Sequence, residues 1–186
     1  MMEISKEKKE KKKRIVPIWV CILIFIGAFF AGMISKVAIK PAWSTKYTAT
    51  WSEELGTKIT DISYGDEEAN KFDLYLPKDS TKDTYGLVIY LHAGGFTSGD
   101  KADDENMLAW LCSKGYVAAG INYTLRTDTN NASVLLQSNE IKEAIPIVVE
   151  ETKNRGYNID KMTVAGGSAG HALAMIYAYR DAQDAP

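Results

Sequence analysis

The pentapeptide Gly166-Gly167-Ser168-Ala169-Gly170 constrains this chain more than any other feature. It fits the pattern G-x-S-x-G, follows the short apolar run MTVA at residues 162–165, and opens a small-residue helix expected over 169–180. A serine between glycines at a strand-to-helix turn can hold a strained backbone that lifts its oxygen above a sheet. The glycines make this feasible because they carry no side chains to strike the neighbouring backbone. The helix that follows presents unpaired N–H groups and the positive end of its dipole beside that oxygen. A plain glycine turn or a phosphate loop has a similar composition, but no lysine follows the glycines as a P-loop requires.

The segments before this turn alternate between strand and helix signals. Residues 58–64 and 70–76 are short alternating runs joined at Gly65-Asp66, which predicts a hairpin. YGLVIYL at 85–91 and YVAAGINY at 116–123 are nearly continuous apolar runs, as strands buried on both faces require. Between them, residues 103–114 begin with Asp103-Asp104-Glu105 and stop at Lys114-Gly115, matching the helix dipole and the C-terminal glycine rule. A second helix is expected over 138–154, with Ile141, Ile145, Val148 and Val149 on one face, a bend at Pro146 and closure at Gly156. Two hairpin strands followed by β-α-β-α-β-α make an α/β order with a mostly parallel sheet and flanking helices.

A second glycine motif, Leu91-His92-Ala93-Gly94-Gly95-Phe96, stands directly after the first buried strand. Glycines there let the loop backbone approach a carbonyl oxygen and donate N–H groups to it. Together the two motifs resemble the α/β-hydrolase superfamily, in the esterase/lipase branch related to hormone-sensitive lipase and to bacterial feruloyl or acetyl esterases. The stretch from His92 to Phe96 resembles that branch's H-G-G-G-F, with Ala93 replacing one glycine. Gly167-Ser168-Ala169-Gly170 resembles its G-x-S-A-G elbow, and KFDLYLP at 71–77 resembles its early "DLYLP" strand. The resemblance covers roughly Ile59 to Arg180 and implies the first part of an α/β-hydrolase fold. It also implies that Ser168 is the nucleophile, and that Gly94, Gly95 and the N–H of Ala169 form an oxyanion hole. His92 would hold its loop instead of acting as a base, and Gly166 and Gly170 would be structural glycines of the elbow. The implied substrate is a small carboxylic ester cleaved through an acyl-enzyme, with no cofactor and no metal.

A serine nucleophile needs a base, and usually an acid to orient it; in this fold the chain order is Ser, then Asp or Glu, then His. Only 18 residues follow Ser168. Asp181 and Asp184 are expected in a polar tail, and His171 lies three residues past the serine on a helix from which the elbow aims the serine oxygen away. The chain is therefore expected to be C-terminally truncated relative to the family, to lack the acid and the base, and to be inactive alone. The strand at 162–165 would be an open edge for a C-terminal half or for self-association. Two other readings remain: a non-catalytic, membrane-tethered pseudoenzyme or binding module, and a peptidase of the same superfamily.

Upstream, Ile15–Ser35 is a run of 21 uncharged residues. At 1.5 Å per residue it spans about 31 Å, enough to cross a bilayer core. The net charge of −2 hides two opposed parts, with residues 1–14 at +4 and the remainder at −6. The positive-inside rule then places residues 1–14 in the cytoplasm, 15–35 as a single-pass anchor in the cell membrane and the rest outside. A cleaved signal peptide would have a shorter apolar run ending in a small-x-small site, and this run has no convincing one. Residues 36–57 read as a linker, with Trp43 and Trp51 either at the lipid interface or packed on the domain, and 58–186 as a partial hydrolase domain. The only strongly basic segment is the short tail, which argues against nucleic-acid binding. Two cysteines, Cys21 and Cys112, are too few for a disulfide framework or a cysteine-rich zinc module, and Cys112 reads as a small buried hydrophobe.

Overall fold

The computed structural model describes residues 17–38 and 46–182. The basic tail, Ile15, Val16, Trp43 and Asp184 lie outside the described residues. The chain divides into two compact units, Met1–Thr45 and Lys46–Pro186. In the first, helix α1 (Ile18–Ala38) starts directly after Pro17, whose missing N–H is harmless at a helix start. Over Ile18–Ser35 its mean hydropathy is 2.5 and its large apolar side chains are exposed, so among the described residues it is long and apolar enough to cross a membrane.

The second unit is built on a five-stranded sheet of order β1-β2-β4-β3-β5. Strands β1 (Gly56–Ser63) and β2 (Lys71–Pro77) form the expected antiparallel hairpin. Strands β3 (Tyr85–Leu91), β4 (Val117–Ile121) and β5 (Ile159–Gly166) run parallel to one another. β4 is buried at every position, as its unbroken apolar sequence requires once helices cover both faces. β5 pairs with β3 and, among the described residues, has no strand on its other side.

Beyond strand ends that move by two or three residues, the sequence expectations shift in four places, each for a local reason. Residues 46–57, expected as part of the linker, pack on the domain. Ala49 N–H donates to Asn106 O at 2.8 Å, Trp51 meets the Tyr75 ring edge-to-face at 5.3 Å, and β1 already begins at Gly56. The helix expected from Asp103 is preceded by a 3₁₀ turn, Lys101–Asp104, because Asp100 and Asp103 form a reciprocal capping box; α2 proper is Glu105–Ser113. Helix α3 (Val134–Asn154) starts one turn earlier than its apolar face suggests. Ser133 caps it by accepting from Leu136 N–H, while Leu135 and Leu136 in that first turn stay exposed. The last helix splits into α4 (Ala169–Ile176) and a π-helical turn, Tyr177–Asp181. That wider turn brings Asp181, expected in a polar tail, to 3% exposure. There Arg180 donates to both its carboxylate oxygens and Lys142 on α3 approaches to 3.5 Å.

One buried ion cluster ties the hairpin to the segment below the glycine loop. Lys101 Nζ lies 2.9 Å from Asp61 and 3.1 Å from Asp73; Lys101 is 8% exposed and Asp73 2%, whereas the Asp61 side chain is 60% exposed. Asp61 sits in a bulge of β1 with φ +58°, and its N–H donates to the Asp73 carboxylate. The hydrogen bond and the charge of Lys101 hold the Asp61 carboxyl below the usual carboxylate range. Lys101→Ala leaves Asp73 buried without its cation and is expected to destabilise the domain by about 3 kcal/mol in urea unfolding at neutral pH. Because the folded carboxyl of Asp61 is depressed, its contribution is full above the ordinary carboxylate pKa and is lost as pH falls through the folded value. The gap between wild type and variant should therefore narrow on acidification, and a gap that widens would contradict this assignment.

Candidate active site

The two glycine motifs end adjacent parallel strands. β3 and β5 are in register up to the pair Leu91 and Gly166, so the loop from His92 and the turn at Ser168 leave the same end of the sheet side by side. Gly167 N–H donates to Leu91 O at 3.2 Å and stitches the two together. Ser168 has φ +46° and ψ −110°, a strained conformation for a residue with a side chain, directly before the first residue of α4.

Gly166 and Gly170, on either side of Ser168, are there because nothing else fits. A Cβ on Gly170 would lie 2.0 Å from Leu91 O and 2.6 Å from His92 O, and one on Gly166 would lie 2.4 Å from the Gly170 carbonyl carbon. The helix thus lies directly against the end of β3, with backbone touching backbone. In the neighbouring loop, Gly94 (φ +136°) could not carry a Cβ without meeting Ser98 O at 1.8 Å. Gly95 adopts φ +61° and Phe96 φ +68°. Gly94 O accepts from Ser98 N–H at 3.0 Å and from the Ser98 hydroxyl at 2.9 Å, which closes the loop into a compact turn. The N–H groups of Gly94, Gly95 and Ala169 donate to no acceptor among the described residues.

His92 is buried, at 1% exposure, and belongs to the wall of this loop. Its ring stacks on Tyr123 with centroids 4.4 Å apart, its Nδ1 lies 2.8 Å from Ala93 O, and the Tyr123 hydroxyl donates to His92 O. His171 is exposed on α4, and neither histidine hydrogen-bonds to Ser168 among the described residues. No group of His, Cys, Asp and Glu side chains that could hold a metal ion occurs among the described residues.

The other wall comes from the segment between β4 and α3 and from the first turn of α3, which neither glycine motif announces. Gln137 is fully buried, and its Nε2 donates to Phe96 O at 3.0 Å and to Thr124 O at 2.8 Å, while Arg126 N–H also donates to Phe96 O. The left-handed Phe96 is therefore pinned from across the cleft. Gln137 stands one residue ahead of the helix expected over 138–154, so no helical period places it on an inner face. Beneath it, Glu140 accepts from Asn70 Nδ2, from the Thr124 hydroxyl and from Thr124 N–H, which anchors the same segment to the hairpin.

The close contact of α4 with β3 makes a sharp contrast testable. Gly170→Ala should cost at least about 3 kcal/mol in denaturant unfolding or prevent folding, because both clashing atoms are backbone. Gly156→Ala, also at positive φ (+89°) but with nothing within 4 Å of the new Cβ, should cost only about 1–2 kcal/mol. Equal losses at the two positions would contradict the packing described.

Known proteins share this fold. The chain is 30% identical over 120 residues to kynurenine formamidase from Danio rerio, a match covering 63% of this chain and 38% of that protein. Esterase B from Lactobacillus rhamnosis superposes with a TM-score of 0.58 at 23% identity, covering 83% of this chain and 47% of the esterase. Thermogutta terrifontis esterase 2, in a form phosphorylated by paraoxon, superposes with a TM-score of 0.55 at 24% identity, covering 66% of this chain and 48% of that structure. The chain thus spans about two fifths of the length of the curated relatives it matches and about half of these esterase structures. The BD-FAE family model matches residues 72–185, a segment that contains both glycine motifs and all three parallel strands. With that match over more than half its length, the chain belongs to the BD-FAE family of α/β-hydrolases.

Proposed function

We propose that Ser168 is the nucleophile of a serine hydrolase that cleaves carboxylic esters through an acyl-enzyme. The N–H groups of Gly94, Gly95 and Ala169 would receive the oxyanion. One observation carries this reading: a strained serine at the start of a helix stands beside a glycine loop whose N–H groups are unclaimed. Free N–H donors fixed by backbone packing are what a developing alkoxide needs, since they stabilise charge without reorganising. The names of the relatives divide between esterases and a formamidase, and both reactions share acyl transfer from a carbonyl carbon.

In the forward step the Ser168 oxygen attacks the carbonyl carbon and its proton passes to a base. The tetrahedral oxyanion collapses with departure of the alcohol, which takes up a proton, and water then releases the acid. Within these 186 residues neither His92 nor His171 occupies the place of that base, so the chain by itself is proposed to acylate slowly and to turn over little. The helix Ile18–Ala38 is proposed as the membrane tether, with the hydrolase part on the extracytoplasmic side.

Incubation with p-nitrophenyl acetate followed by peptide mapping should find a single acetyl group on Ser168, absent from Ser168→Ala, without sustained release of p-nitrophenol. An oxyanion hole alone supports slow chemistry of this kind, at roughly 10³-fold over water. Acetylation spread over other serines, or rapid turnover that survives Ser168→Ala, would overturn the assignment. With intact cells, a charged, membrane-impermeant maleimide should label a cysteine introduced at Asn130, and protection of that residue would refute the topology.

A further inference from the structure

Beside the glycine loop lies a pocket of about 270 Å³ lined by Gly95, Phe96, Arg126, Ala132, Val134 and Gln137, among others. It opens between the loop that follows β3 and the segment that joins β4 to α3, on the Gly95 side of the proposed oxyanion hole. One polar side chain of its wall has no partner within the fold, that of Arg126. Of the described arginines, Arg155 pairs with Glu151 and Arg180 with Asp181, but the guanidinium of Arg126 has neither an ion-pair nor a hydrogen-bond partner among the described residues. Gln137, in the same wall, gives both its hydrogen bonds from Nε2, to Phe96 O and Thr124 O, and so holds the Phe96 side of the pocket in place.

We propose that this pocket is a subsite for a small substrate group with an apolar body and a carboxylate. The apolar body would rest on Phe96, Ala132 and Val134, and the carboxylate would pair with Arg126. A volume of this size takes a short branched chain or a single ring. A planar guanidinium without a partner binds a carboxylate through two parallel N–H bonds, which suits a compact anion. The rest of the unit carries an excess of acidic residues, so an anion is favoured at the Arg126 end of the pocket and repelled elsewhere. The role of the pocket as a substrate subsite rests on the hydrolase reading above. The preference would then be for esters whose acyl or alcohol part carries a carboxylate close to the scissile bond.

The test uses the full 186-residue chain in detergent micelles, with backbone amides followed by ¹H–¹⁵N NMR during titration with benzoate, butyrate, butyramide and inorganic phosphate. Benzoate or butyrate should shift the amides of Phe96, Val134 and Gln137 to saturation. The neutral butyramide and inorganic phosphate should each need at least roughly tenfold higher concentration. Arg126→Gln, at an exposed position, should weaken the carboxylates by about tenfold with the remaining spectrum unchanged, while Arg155→Gln leaves them as they were. Absence of saturable shifts, equal response to butyramide or phosphate, or indifference to Arg126→Gln would overturn the proposal. The acetylation of Ser168 is read separately by mass spectrometry: carboxylate binding without it would refute the hydrolase reading and with it the subsite's role in catalysis, and acetylation without carboxylate binding would refute the subsite alone.

Discussion

The contact between α4 and the end of β3 is the constraint on which the rest of the site depends. Gly170 lies so close to Leu91 O that no side chain fits between them, and Gly166 is pressed on Gly170 in turn. The helix can therefore begin only at one height above the sheet. That height forces the chain through Ser168 at positive φ and leaves the first N–H of α4 beside the glycine loop. The strain at Ser168 persists because backbone on both sides is already fixed by the parallel pairing of β3 with β5.

The glycine loop is held with equal economy of means. His92 and Tyr123 stack and exchange contacts through His92 O, so the base of the loop rests on β4's end. Gln137 and Arg126 reach Phe96 O from the opposite side and stabilise a non-glycine residue at φ +68°. Glu140, buried and accepting three hydrogen bonds, ties this second wall to the hairpin through Asn70. The loop is thus held from both sides by stacking and hydrogen bonds, the kind of fixed backbone in which N–H dipoles stabilise charge without reorganising.

Much of this was legible because it depends on local rules. The apolar runs at 85–91 and 116–123 and the glycine pattern around Ser168 each carry their structure in a handful of residues, and their order along the chain restricts the topology. The second wall was not legible, because its parts are far apart in sequence. Gln137 acts on Phe96 across 41 positions, and Asn70 on Glu140 across 70. Helix ends set by caps do not follow the apolar period either. Ser133 starts α3 ahead of its apolar face, and the ion pairs of Asp181 with Arg180 and Lys142 draw the last turn into a π-helix. The packing of residues 46–57 depends on aromatic contacts with partners at 75 and 110 that no local pattern announces.

The central claim is that backbone packing alone presents the N–H groups of the glycine loop and of Ala169 to an oxygen bound at Ser168. The most direct measurement is a crystal structure of the chain carrying a phosphonate on Ser168, a stable mimic of the tetrahedral intermediate. The account predicts a phosphonyl oxygen within roughly 2.7–3.1 Å of the Ala169 nitrogen and of at least one of the Gly94 and Gly95 nitrogens, with the loop unmoved. A phosphonyl oxygen turned to solvent, or a loop that must rearrange to meet it, would contradict it.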